Sequence, residues 1–96
     1  MTDQPFLQVI GRTSRTRIIL FFIEHPIHDF AIKEIGEYNE ISRQTVSKEV
    51  SYLLRIGFIT VSKFVGHAAL YKANRDSKIF KSMVDLNLIL LEMEGK

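Results

Sequence analysis

Apolar residues along this chain change their spacing several times, and the changes divide it into elements. "PFLQVIG" (5–11) reads as a short turn of helix ending at Gly11. "TSRTRIILFFIEHP" (13–26) reads as a longer helix. Thr13 or Ser14 offers a side-chain oxygen to its first free amides, and Pro26 makes residue 25 the stop. Ile18, Ile19, Phe21, Phe22 and Ile23 cover nearly its whole circumference, which predicts a central helix. "HDFAI" (28–32) is β-tolerant and long enough for one rung of strand. "IKEIGEY" (32–38) predicts a short helix with Ile32 and Ile35 facing inward, and "NEI" (39–41) a turn. Ser42 opens the next helix, in which Val46, Val50, Leu53 and Leu54 recur at i, i+4, i+7 and i+8, one apolar face. Ile56 and Gly57 end it, with Gly57 in the left-handed position beyond the last turn.

The period then shortens. In "FITVSKFVGHAALYKAN" (58–74), β-branched and aromatic residues surround Gly66. That predicts a hairpin over 59–73 with its tip at Val65-Gly66-His67. Asp76 or Ser77 caps a last helix running through Glu94. No repeat or low-complexity segment interrupts the order. A short helix, a turn and a second helix opening on Ser form the helix-turn-helix plan, and a hairpin directly after it is a wing. The expected class is mainly α with a small β-hairpin wing (α+β): a three-helix core, the wing, and a C-terminal helix. Residues 1–75 form the expected domain and residues 76–96 the appended helix.

That last helix, "SKIFKSMVDLNLILLEME" (77–94), is too apolar for a one-sided surface helix. Ile79, Met83, Leu86, Leu90 and Met93 follow spacings of 4, 3, 4 and 3, an a/d seam over about two heptads. Phe80, Val84, Leu88 and Leu91 face another direction. One face packs on the core. The other asks for a second copy of the chain, and the seam residues are the expected dimer contacts. Cover of both faces within one chain is the alternative.

Size and composition add limits. Ninety-six residues make one small domain, and 46% apolar content suffices for one core. Cys is absent, which removes disulfides, thiolate metal sites and cysteine nucleophiles and fits a reducing cytosol. The acidic start "MTDQPFLQVIGR" does not read as a signal peptide. The longest apolar run, "IILFFI" (18–23), is far short of the ~20 residues a bilayer span needs. The expected location is the cytoplasm, in association with the nucleoid. His25, His28 and His67 lack the spacing of a metal site, and neither a phosphate-cradling glycine loop nor a nucleophile elbow is present. Neither an enzyme nor a cofactor is implied.

Charge changes the picture more. The net charge is only +2, but residues 42–75 carry +5, from Arg43, Lys48, Arg55, Lys63, Lys72 and Arg75 against Glu49 alone. Residues 1–41 carry −2 and residues 76–96 carry −1. Such asymmetry is what a footprint for a polyanion looks like; a solvated face with accidental bias is the plainer reading.

Within the basic segment, "KEIGEYNEISRQTVSKEVSYLLRIGFI" (33–59) and "VGHAALYKAN" (65–74) resemble winged helix-turn-helix transcription regulators of the arsenic-repressor-like and multiple-antibiotic-resistance-like kind, found in archaea and bacteria. Glu34-Ile35-Gly36, Ile41-Ser42, Thr45-Val46-Ser47, Leu53 and Gly57-Phe58-Ile59 occupy the family's places in order. The family's turn glycine is replaced by Glu40; Asn39 before it tolerates the left-handed region and takes that role if the turn shifts by one residue. The resemblance implies binding of double-stranded DNA, with recognition helix 42–56 in the major groove and wing 59–73 on the backbone or minor groove; a homodimer through the last helix would ask for a palindromic site. A winged-helix protein-interaction module is the alternative, for which Tyr52 is the one candidate anchor on that helix face.

Side-chain chemistry supports the first of these. Arg43, Gln44, Ser47, Lys48 and Ser51 lie opposite or beside the Val46/Val50 stripe. Arg reads guanine, Gln reads adenine, and Ser or Thr reads either, on major-groove edges. Arg43 and Gln44 are the base-reading candidates and Lys48 a phosphate contact. Ser42 caps the helix and stands where a phosphate meets free amides. Thr45 offers a methyl contact or only packing. Lys63 and His67 are the wing candidates, His67 standing where the family often has Arg. Arg15 and Arg17 are candidates for a flanking phosphate or for plain surface solubility. Neutralising about four phosphates implies a log–log salt slope near −4 per protomer.

Overall fold

The computed structural model describes residues 4–94; residues 1–3 and 95–96, the outer ends of the two expected segments, lie outside these. The elements run α1 (Pro5–Ile10), α2 (Ser14–Glu24), α3 (Ile32–Asn39), α4 (Arg43–Arg55), β1 (Ile59–Val65), β2 (Ala68–Ala73) and α5 (Lys78–Glu94). The α1–α2 corner is set by Gly11 at a positive φ of 109°. Thr13 is the cap of α2: its Oγ1 accepts the Thr16 amide at 3.1 Å, and Thr16 Oγ1 accepts the Thr13 amide at 2.9 Å. This reciprocal pair satisfies two donors that a helix start leaves free.

Six consecutive residues of α2, Ile18 to Ile23, are buried. The other elements wrap this helix, contributing Phe6 and Leu7 from α1, Ile35 from α3, Val46, Val50 and Leu53 from α4, Phe58, Ile59 and Ala73 from the hairpin root, and Phe80 from α5. Each large side chain buried in full here contributes roughly 1.5–3 kcal/mol.

The bihelical unit closes through a tight turn. The Ile41 amide donates to the Gly36 carbonyl at 2.9 Å. Glu40 itself takes the left-handed conformation, at φ 57°, ψ 48°. The one-residue shift onto Asn39 does not occur, because Asn39 is still helical: its Nδ2 donates to the Ile35 carbonyl at 2.9 Å, and its own carbonyl accepts from the Arg17 guanidinium. Gly36 lets the next segment come close. A Cβ there would lie 2.7 Å from the Ile41 carbonyl oxygen and 3.6 Å from Val46 Cγ2.

β1 and β2 pair antiparallel from Ile59↔Ala73 to Val65↔Ala68, with an irregularity between Val61 and Lys63 that leaves Ser62 as the extra residue. Gly66 turns the hairpin at φ 62°. Phe30 adds the single expected rung, exchanging two 2.8 Å backbone hydrogen bonds with Tyr71. β2 therefore lies between Phe30 and β1. No described helix is long and apolar enough to cross a membrane.

Ser77 caps α5, its Oγ accepting the Phe80 amide at 3.1 Å. The expected dimer seam is engaged largely within the chain. Ile79, Met83, Leu86 and Leu90 pack against the chain's own core, on the same side as Phe80 and Val84. The reason is geometric: α5 lies along α1 and also touches α2, so its inner side covers them. Met93 is the one seam residue that is fully exposed, and Leu88, Ile89 and Leu91 are exposed with it.

Gly36→Ala is expected to destabilise the domain by about 1–3 kcal/mol through the clash with Ile41, although Ala is the better helix former. Glu40→Gly is expected to stabilise it by about 0.5–1 kcal/mol, since glycine carries no left-handed penalty. Urea denaturation with an unchanged m-value checks both.

Candidate nucleic-acid interface

Helix α4 has two chemically distinct sides. Val46, Glu49, Val50 and Leu53 are buried. Ser42, Arg43, Gln44, Ser47, Lys48 and Ser51 are all exposed, and Thr45 is half-buried. Ser42 Oγ accepts the Thr45 amide at 3.3 Å, so it caps the helix while remaining open to solvent. Its hydroxyl also donates to Thr45 Oγ1 at 3.0 Å, so Thr45 spends its polar group locally. Among the described residues none provides a side-chain partner for Arg43, Gln44, Ser47, Lys48 or Ser51.

The start of α4 and the wing share a groove of about 390 Å³, lined by Ala31, Ile32, Lys33, Arg43, His67, Ala68, Ala69 and Tyr71. This brings together Arg43 and His67, which the sequence placed on separate elements. Lys33 belongs with them and was not singled out from the sequence. Its signal was present: it sits beside the inward-facing Ile32 on a short helix, on the side opposite the core. Lys63 is exposed on β1, away from this groove lining.

Arg15 and Arg17, the flanking-phosphate candidates, are both engaged within the chain. Arg15 Nε donates to Glu49 Oε1 at 2.6 Å, and its guanidinium lies 3.7 Å from the Tyr52 ring centroid. Arg17 is committed to the Asn39 carbonyl. Both hold α2 to the bihelical unit. Glu49, which the sequence offered only as a lone anion in a basic stretch, is the inward partner that fixes α4 on α2; an ion with so little water needs such a partner. Tyr52, with Arg15 on its face and Arg55 5.1 Å from its centroid, is covered rather than offered as an anchor.

The wing is tied at its root. Ser62 Oγ, presented by the extra residue of β1, donates to Asp29 Oδ2 at 2.7 Å. That hydrogen bond, helped by the positive charges of Lys63 and Lys72, holds the Asp29 carboxyl below its ordinary 3.8. The tether joins the loop before the Phe30 rung to the hairpin, and so helps fix the wing's angle to α4.

Three helices, a one-rung strand, a bihelical unit with its second helix polar outward, and a hairpin tethered beside it make up a winged helix-turn-helix fold. The chain is similar in structure to HlyU from Vibrio vulnificus, a transcriptional regulator, at a TM-score of 0.64 and 20% identity over 90% of this chain and 83% of that one. It is similar to HlyU from Vibrio cholerae at 0.61 and 20% identity, over 85% and 80% of the two chains. It is also similar to MepR, a transcription regulator of a Staphylococcus aureus multidrug efflux pump, at 0.69 and 17% identity, over 97% and 67%. A MepR variant of the same similarity is bound to an oligodeoxyribonucleotide. No family model and no curated protein matches the sequence.

Because the folded-state pKa of Asp29 is depressed, its contribution to stability is present above the unfolded value and is lost as pH falls through the folded one. Ser62→Ala is expected to return the Asp29 carboxyl toward 3.8 and to shrink that acid-labile contribution. A carboxyl-resolved NMR titration reads the shift directly.

Proposed function

We propose that this chain is a sequence-specific, double-stranded DNA-binding transcription regulator that works as a homodimer in the cytoplasm, on the nucleoid. The observation that carries the reading is the one-sided exposure of α4. Arg43, Gln44, Ser47, Lys48 and Ser51 face solvent on one side, while Val46, Glu49, Val50 and Leu53 are buried on the other. An α-helix of this kind fits the major groove, where Arg43 and Gln44 reach base edges and Ser47 and Ser51 adjust to either base. Lys48 and the capped start at Ser42 take phosphates. Lys33, Lys63 and His67 extend the contact to flanking backbone. An MepR variant carries an oligodeoxyribonucleotide on the same fold, which supports the reading. The protein-interaction alternative loses its one anchor candidate, since Tyr52 lies beneath Arg15.

Dimerisation is assigned to the outer side and end of α5, where Leu88, Ile89, Leu91 and Met93 are exposed. Contiguous apolar surface of this kind marks an association site. Two copies related by a dyad place their α4 helices about 34 Å apart and read a palindrome.

Selection of bound duplexes from a random pool tests the readout. Wild type is expected to enrich a palindrome. Arg43→Ala/Gln44→Ala is expected to bind with preference at those positions reduced by about 1–3 kcal/mol per lost bidentate contact. Lys48→Ala should weaken all sequences alike and lower the salt slope by about one. Equal binding of every duplex by wild type and double variant would remove the readout, and absence of binding at low salt would remove the DNA function. Leu88→Glu/Leu91→Glu is expected to give a monomer by sedimentation with its fold intact, and an unchanged dimer would reject this face.

A further inference from the structure

The wing carries a feature that phosphate contact does not use. Phe64 is 67% exposed and Val65 60%. Apolar side chains this large are seldom left together at the end of a hairpin without a partner. The register explains why nothing covers them: Phe64 pairs with Ala69 and Val65 with Ala68, so each faces only a methyl group across the strand. The tip is therefore thin. It carries its bulk on β1, turns at Gly66, and is flanked by exposed Lys63 and His67. Its β2 side, Ala68 and Ala69, lines the same groove as Arg43 at the start of α4. The blade is thus continuous with the polar face assigned to DNA and sits within the segment of net charge +5.

We propose that the wing tip is an apolar wedge for the minor groove of duplex DNA, with Phe64 and Val65 as the inserting side chains. This rests on the DNA-binding reading above and specifies how the wing takes part in it. The minor groove is about 6 Å wide and poor in readable hydrogen-bond pattern. A slender hairpin with alanines on one strand fits it better than a hairpin bulky on both. Lys63 and His67 hold the flanking phosphates, and the apolar pair leans on sugars and the exposed edge of a base step, opening it. Pyrimidine–purine steps open most easily, so the wing selects deformability at a position where no hydrogen bond reads a base. Burial of the two side chains offsets the unstacking and bends the duplex toward the major groove.

The test uses the full chain and its selected duplex, with 2-aminopurine placed at the step beneath the wing and a gel assay of DNA bending. Wild type is expected to raise the 2-aminopurine fluorescence and to bend the duplex. Phe64→Ala/Val65→Ala is expected to abolish both signals and to lose roughly tenfold or more in affinity, the scale of burying one such side chain. Its salt slope stays the same, because no phosphate contact is removed. Both residues are exposed, so the variant should keep the wild-type melting temperature, which is checked first. Phe64→Ala/Val65→Arg is expected to restore affinity and steepen the salt slope without restoring the fluorescence signal. If the double variant binds, bends and unstacks like wild type while Arg43→Ala/Gln44→Ala still loses preference, the wedge is wrong and the DNA reading stands. If the double variant instead changes the oligomeric state of the free protein, the tip is a contact between copies and the wedge is overturned. Failure of wild type to bind any duplex at low salt sinks both.

Discussion

The approach of α4 to α3 at Gly36 is the constraint on which the rest depends. With only a hydrogen on its Cα, α3 lets the Ile41 carbonyl come within a distance that no side chain would permit. The turn closes on the Gly36 carbonyl through the Ile41 amide. Ser42 is then placed to cap α4, and Val46 falls against Gly36 and into the core. The polar side of α4 faces outward as a consequence, because a helix anchored by Val46, Val50 and Leu53 has its remaining positions directed away from them. The orientation of five donor-bearing side chains thus follows from one missing methyl group.

Two further fasteners hold the helix at that angle, and both come from α2. Arg17 ties the end of α3 through the Asn39 carbonyl, and Arg15 reaches Glu49 on the inner side of α4. Two sets of basic side chains are thereby set apart. Arg15 and Arg17 of α2 are half-buried and engaged by the molecule's own groups. Lys33 on α3, Arg43 and Lys48 on α4, and Lys63 with His67 on the wing lie open. The electrostatic face is narrower and more one-sided than a count of arginines along the sequence suggests.

The element order was legible because its signals are local. Thr13, Ser42 and Ser77 are helix starts, Gly11, Gly57 and Gly66 are stops or turns, and the apolar period shifts from helix to strand near Phe58. Phe30 was legible as a single rung from its β-tolerant neighbours. What the sequence hid was relational. The α5 seam matched a heptad repeat, yet Ile79, Met83, Leu86 and Leu90 serve the chain's own core, because the spacing of apolar residues says nothing about which surface meets them. Arg15 looked like Arg43, a cation near a helix start; only the arrival of Glu49 from a distant part of the chain separates them. At the turn, the tolerance of Asn for the left-handed region suggested a shift, and the side-chain bond from Asn39 to Ile35 kept it helical instead. On α4 itself, outward exposure was readable from periodicity, since its apolar stripe lies within one helix.

The irregularity at Ser62 has a consequence for how the protein behaves in a crowded solution. β1 is the outer strand of its small sheet and carries Val61, Phe64 and Val65 exposed, a composition that invites edge-to-edge stacking into fibrils. The extra residue breaks the row of evenly spaced amides and carbonyls midway, and the hydroxyl of Ser62 is turned to Asp29 rather than left outward. Lys63 follows at once, a charge that a stacked copy would have to bury. An apolar blade can thus be carried at the rim of the molecule without making that rim a template for its own kind.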